Sequence, residues 1–147
     1  LVTYMFAHAH QLFHILFNMY ALWMFGSQLE KVWGPKKFLI FYLACGIAAG
    51  VSQLFLSSYP AVGASGAVMG LLAAFAYLFP NVEFFIIPFP FPLKAKYMVM
   101  IYAGIDLFGG LHPGKLDNVA HFAHLGGLVA GLIIVIIWNK TNRKTFY

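Results

Sequence analysis

Charge is what this sequence has least of: nine Lys or Arg and four Asp or Glu in 147 residues, or 9%. A soluble domain carries about 25% charged residues, so there is too little polar side chain here to cover a water-facing surface. Cysteine occurs once, as Cys45 within an apolar run, which excludes an internal disulfide. Leu1 to Phe6 has no basic residue and does not read as a secretory signal peptide. The start also lacks a Met, and we expect the sequence to be part of a longer chain. Alternating polarity over ~10 residues, the mark of a membrane β-strand, is missing from runs such as Leu128 to Trp138. The net charge of +5 is not gathered into a patch but punctuates apolar runs, so no nucleic-acid partner is expected.

What is present is apolar: 62% of residues are hydrophobic and the mean hydropathy is +0.82. The composition predicts an integral membrane protein, an all-α polytopic transmembrane bundle forming a single domain over residues 1–147. Five spans are expected: Leu12 to Gly26, Phe38 to Leu56, Ala61 to Phe79, Tyr97 to Leu111 and Asn118 to Trp138. The fourth is the shortest and contains Asp106. If these alternate, Lys31, Lys36, Lys37, Lys94, Lys96, Lys140, Arg143 and Lys144 share one side, and only Lys115 lies on the other. The positive-inside rule makes the crowded side cytoplasmic. That places the C-terminus in the cytoplasm, the N-terminus outside, and the protein in a membrane such as the bacterial inner membrane. A further helix upstream of Leu1 would return the chain to the cytoplasm. Phe84 to Phe91, with Pro88, Pro90 and the following Pro92, is expected as a stiff aromatic loop on the inner surface.

Two short stretches carry candidate chemistry. Gly63-Ala64-Ser65-Gly66 opens the third span, and Ala123-His124-Leu125-Gly126-Gly127 lies early in the fifth. Alternation puts both at the outer face. Gly66 and Gly70 form one small-residue ridge and Gly127 and Gly131 another, so their helices can pack closely and bring Ser65 to His124. Ser and His in contact can perform nucleophilic acyl transfer. A helix N-terminus also favours the negative charge of a tetrahedral intermediate. The plainer alternative is a small serine in a tight helix contact and an interfacial histidine. His14 and Asn18 are four apart on one helix face at the same depth. They read equally as interhelical hydrogen-bond formers or as oxyanion donors. His121 flanks His124 on nearly the same face, as a substrate or water contact or as an interfacial residue. Asp106 and Asp117 are the only outer carboxylates, and neither is evidently set to orient His124, so a Ser–His dyad is expected. The spacing of His8, His10 and His14 matches no trusted ligand pattern, and no metal or other cofactor is expected.

Together these residues resemble the rhomboid family of intramembrane serine proteases. His14 to Asn18 is similar to the family's His-x-x-x-Asn element. Gly63 to Gly66 resembles its nucleophile motif, and Ala123 to Gly127 with Gly131 its histidine motif. Glu30-Lys31 with Gly34 resembles the turn after its second helix. The resemblance implies Ser65 as nucleophile, His124 as general base and acid, and His14 and Asn18 as oxyanion donors. Gly63, Gly66, His121 and Gly127 flank the site. It implies a six-helix core of which this chain holds the last five helices. Met69 stands where some relatives carry a tyrosine four residues after the nucleophile. The expected function is cleavage of peptide bonds in or near transmembrane helices of membrane-protein substrates, within the lipid bilayer. The rival readings are a non-catalytic rhomboid-like scaffold that binds transmembrane clients, and a small transporter. The sequence does not define an oligomeric state.

Overall fold

The structure is a computed structural model and describes residues 2–6, 12–58, 64–85, 91–112 and 120–143. After a short 3-10 turn, Thr3–Phe6, helix α1 (Leu12–Ala21) runs through a π-helical turn (Leu22–Gly26) into α2 (Ser27–Trp33). Both junction residues keep helical dihedrals, so the three pieces make one rod. The rod ends at Gly34, whose φ of 82° is costly for any residue with a Cβ. The Gly34 N–H donates to the Glu30 carbonyl at 2.7 Å, and Pro35 opens the next helix at its first position. The span expected to stop at Gly26 therefore continues to Trp33, and α3 (Pro35–Leu56) starts before the expected Phe38. Glu30, Lys31, Lys36 and Lys37 ride on helix ends rather than on a loop.

The remaining helices are α4 (Ser65–Leu78), α5 (Ala95–Leu111) and α6 (His121–Arg143). Helices α3 and α6 are long and apolar enough to cross a membrane. Helix α4 is the axis of the bundle: every residue from Gly66 to Ala76 is buried, and α1, α2, α3, α5 and α6 all touch it. A helix that is apolar on all sides must be surrounded. The helices around α4 turn large apolar side chains outward, among them Phe55, Ile101, Phe108, Ile133 and Ile137. An apolar exterior of this extent suits hydrocarbon and not water, and the chain is a polytopic membrane protein of the expected helical class.

The segment expected as a loop has paired ends. Strand β1 (Glu83–Phe85) lies antiparallel to β2 (Pro92–Lys94), with Phe84 opposite Leu93 and Phe85 opposite Pro92. Pro92 is the first residue of its strand, where a missing N–H is tolerated. Phe84 turns inward, its ring 5.3 Å from Phe25 and 5.7 Å from Phe75. Pro88 and Pro90 lie outside the described residues.

Helices α4 and α6 meet backbone to backbone. A Cβ on Gly127 would fall on the Gly66 carbonyl oxygen, and one on Gly131 would lie 2.5 Å from the Gly70 oxygen. The two pairs share one offset, so the helices run parallel and their N-terminal ends adjoin. Helix α3 closes the triangle: Ala49 faces Gly66, Cys45 Sγ lies 2.6 Å from the place of a Gly70 Cβ, and Ser52 faces Gly126. In lipid this van der Waals fit, not apolar desolvation, holds helices together. We therefore expect Gly127→Leu to lower the thermal unfolding temperature in detergent far more than Leu132→Gly. Leu132 is exposed, and a glycine in an exposed helix interior costs only about 1 kcal/mol. An overpacked backbone contact costs more than ~3 kcal/mol, above the usual range for overpacked cores. Equal shifts would show that the close approach is dispensable.

Candidate active site

Ser65 is the first residue of α4, after Ala64 at the N-cap with φ −81° and ψ −2°. The first helical bond there runs from the Val68 N–H to the Ala64 carbonyl at 3.0 Å. The N–H groups of Ser65, Gly66 and Ala67 precede it, in the turn where a helix has no internal acceptors to offer. His124 stands in the first turn of α6. Its Nε2 is 2.9 Å from Ser65 Oγ. The Gly66–Gly127 contact lies one residue beyond the serine and three beyond the histidine, and it brings these two side chains into range.

Two further contacts fix the start of α6. Buried Gln53 of α3 accepts the Ala123 N–H on its Oε1 at 3.1 Å, supplying an acceptor that the first turn lacks. Asp106 of α5, buried at 5% exposure, meets His124 Nδ1 with Oδ1 at 3.0 Å and His121 Nδ1 with the same oxygen at 2.8 Å. The His121 ring lies against Gly109, where a Cβ would come within 2.5 Å of it. A shallow cleft of about 590 Å³, lined by Ile101, Gly104, Ile105, Phe108, Gly109 and His112, opens beside His121.

The structure thus brings Ser65 and His124 together, sets Gly66 and Gly127 at the helix contact beneath them, and joins His121 to the same cluster. Asn18 is buried although Phe17, Met19 and Tyr20 beside it are exposed, so it faces the bundle. His14 lies on α1, but its side chain is outside the described residues, as are Gly63, His8 and His10. Among the described residues no group of three or more His, Cys, Asp or Glu is arranged to hold a metal ion. Asp106 is the residue that sequence reasoning set aside and the structure places on His124. A signal was there: a lone carboxylate in an apolar span needs a partner, and His121 and His124 share one helix face.

A parallel helix pair that carries a hydroxyl and an imidazole in contact, inside an apolar bundle, defines a class of polytopic membrane proteins with a built-in Ser–His pair. The Rhomboid domain family model matches residues 1–140, and the chain belongs to the rhomboid family. It is 35% identical over 119 residues to Rhomboid protease GluP of Bacillus subtilis, covering 80% of this chain and 22% of that protein. It is 34% identical over 147 residues to Rhomboid protein 1, mitochondrial, of Saccharomyces cerevisiae, covering 94% of this chain and 42% of that one. It is 33% identical over 144 residues to the human Presenilin-associated rhomboid-like protein, mitochondrial, covering 90% and 37%. The chain spans less than half the length of these relatives.

Removing the Gln53 acceptor strands a buried N–H, which costs about 1–3 kcal/mol. We expect Gln53→Met, which keeps the length of the side chain, to lower the unfolding temperature in detergent. It should also slow the reaction of Ser65 with an active-site-directed phosphonate. Unchanged stability and reactivity would show that the cap does not anchor α6.

Proposed function

We propose that this protein is an intramembrane serine endopeptidase that cleaves peptide bonds in or near the transmembrane helices of membrane-protein substrates. The observation that carries this reading is the 2.9 Å contact between Ser65 Oγ and His124 Nε2. In the proposed reaction Ser65 Oγ attacks the scissile carbonyl carbon while its proton passes to His124 Nε2. The tetrahedral intermediate collapses as the C–N bond breaks and Nε2 returns the proton to the departing amine. Water then attacks the acyl-enzyme, again losing a proton to Nε2. That proton goes back to Ser65 Oγ as the C–O ester bond breaks and the new carboxyl terminus leaves.

The oxyanion would be met by the N–H groups of the first turn of α4, with the α4 dipole behind them. Asn18, buried and facing the bundle, and His14 are the side-chain donors that the family resemblance adds. Water has to reach the serine, so the proposed reaction needs a polar path to this end of the bundle. A substrate helix conceals its amides in its own hydrogen bonds, so residues that weaken that helix favour cleavage. The basic residues favour a cytoplasmic C-terminus and a site toward the outer face. The relatives come from a bacterium and from mitochondria, and the charge pattern bears on orientation alone. A purely scaffolding role would not require a serine and a histidine in contact.

Treatment with a fluorophosphonate should label Ser65, located by mass spectrometry of the peptide. Ser65→Ala and His124→Ala should each lower cleavage of a model transmembrane substrate by ~10³-fold or more. Cleavage by Ser65→Ala at the wild-type rate would overturn the reading. Loss of a true oxyanion donor costs ~10²–10³ in kcat, and we expect that loss for Asn18→Ala. A kcat unchanged by that substitution would remove Asn18 from the site.

A further inference from the structure

We propose that Asp106 is a positioning residue for this reaction. It holds the His124 ring in the tautomer that can take the Ser65 proton, and His121 fastens the carboxylate in place. The inference rests on the proteolytic reading of Ser65 and His124 and extends their pair to a linked series of three.

The placement of Asp106 is selective. On α5 its neighbours Ile105 and Leu107 are exposed to the surroundings at 58% and 51%, whereas Asp106 is at 5%. At this point of the helix the acidic side chain is turned to the bundle and its two apolar neighbours away from it. A carboxyl group at this depth is costly unless partners meet it. The partners it meets are the two imidazoles of α6, both on Oδ1, at 2.8 Å and 3.0 Å.

The hydrogen-bond arithmetic then fixes the rings. A carboxylate only accepts. Two ring nitrogens approach one oxygen, and even a protonated carboxyl has a single O–H, which can point at only one of them. At least one ring must therefore donate. With Asp106 ionised, both Nδ1 atoms carry hydrogen. In a neutral His124 ring this leaves Nε2 as a bare acceptor, and Nε2 is the atom that faces Ser65 Oγ. The opposite tautomer would present an N–H to the serine and could not take its proton. Once the proton has moved, the ring is cationic, and a carboxylate against Nδ1 stabilises it where water is scarce.

His121 gives the device its second tether. It is the first residue of α6, and its N–H to Oδ1 holds the oxygen that also receives His124. With the two tethers three residues apart on α6, rotation of the carboxylate away from His124 breaks a second bond as well. Gly109 leaves the space in which the His121 ring lies.

The test uses the whole chain in detergent micelles, as wild type, Asp106→Asn and Asp106→Glu. Fluorophosphonate labelling of Ser65, kcat and KM on a model transmembrane substrate, and thermal unfolding are measured for each. The ¹⁵N imidazole spectrum is recorded with the His124 signals identified by their loss in His124→Gln. In the wild type we expect hydrogen on Nδ1 of His124. Asp106→Asn, whose amide can donate to Nδ1, should move the hydrogen to Nε2. It should also lower kcat by ~10²–10⁴ with KM little changed. Asp106→Glu should recover part of kcat. Folded Asp106→Asn protein that turns over near the wild-type rate with Nδ1 still protonated would overturn the inference. Should Asp106→Asn not fold, the wild-type spectrum decides alone: hydrogen on Nδ1 supports the inference, and hydrogen on Nε2 overturns it. A wild type that fails to label at Ser65 would instead overturn the proteolytic reading.

Discussion

The backbone contact between α4 and α6 is the constraint on which the rest of the structure depends. At Gly66 and Gly127, and again at Gly70 and Gly131, no side chain stands between the two helices. A single added methyl group would fall on a carbonyl oxygen. The contact fixes separation, register and rotation together, because only one alignment puts both glycine pairs opposite each other. Ser65 and His124 sit just before these contacts on their respective helices, and their separation follows from that alignment. Helix α3 reinforces it from the third side with Ala49, Cys45 and Ser52. In a bilayer this matters more than in water, because lipid is as apolar as the helices, and shape complementarity has to supply the specificity.

The same geometry solves a second problem, which is where to keep polar groups in an apolar molecule. Ser65, His121 and His124 all lie in the first turns of parallel helices, at one end of the bundle. Gln53 reaches them from the last part of α3, and Asp106 from the last part of α5. Helix starts are where N–H groups lack internal partners, so the polar side chains and the backbone groups that need outside acceptors are gathered in one place. Buried polar groups are tolerable when each finds a partner. Here Gln53 serves the backbone of α6, and Asp106 serves two imidazoles. The opposite half of the bundle is held by aromatic packing, with Trp33, Phe41 and Trp138 in mutual contact.

The sequence made some of this legible and concealed the rest for physical reasons. Helices, small-residue ridges and the Ser65–His124 pairing depend on short periodic patterns, and periodicity survives in a single sequence. The length of the first rod did not, because Glu30, Lys31, Lys36 and Lys37 looked like a loop between spans. Only Gly34 breaks the helix there, and charged side chains on its ends can reach a polar interface. The β1–β2 ladder was hidden because three paired residues on each side of a proline-rich run leave almost no alternation to read. Asp106 was missed because its contact with His124 depends on how α5 is rotated against α6. That rotation follows from tertiary packing, and no local spacing on α5 reports it.

The lengths of the helices also say at what depth the proposed chemistry takes place. Helix α4 has 14 residues and α3 has 22. At 1.5 Å per residue these are roughly 21 Å and 33 Å long, against a hydrocarbon core of about 30 Å. The central helix is too short to reach both surfaces, so one of its ends is sunk. Its C-terminal end leads within a few residues to Asn81 and Glu83, which are exposed and have to meet water or headgroups. The sunk end is then the one that begins with Ser65. A serine held there lies below the surface, and any water that the proposed reaction uses must come down past the polar side chains gathered at the helix starts. The glycine contact, the capping glutamine and the Asp106 cluster thus serve one requirement. If the proposed hydrolysis takes place below the membrane surface, its site has to be built from groups already paired and oriented, because little solvent is present to compensate for those that are not.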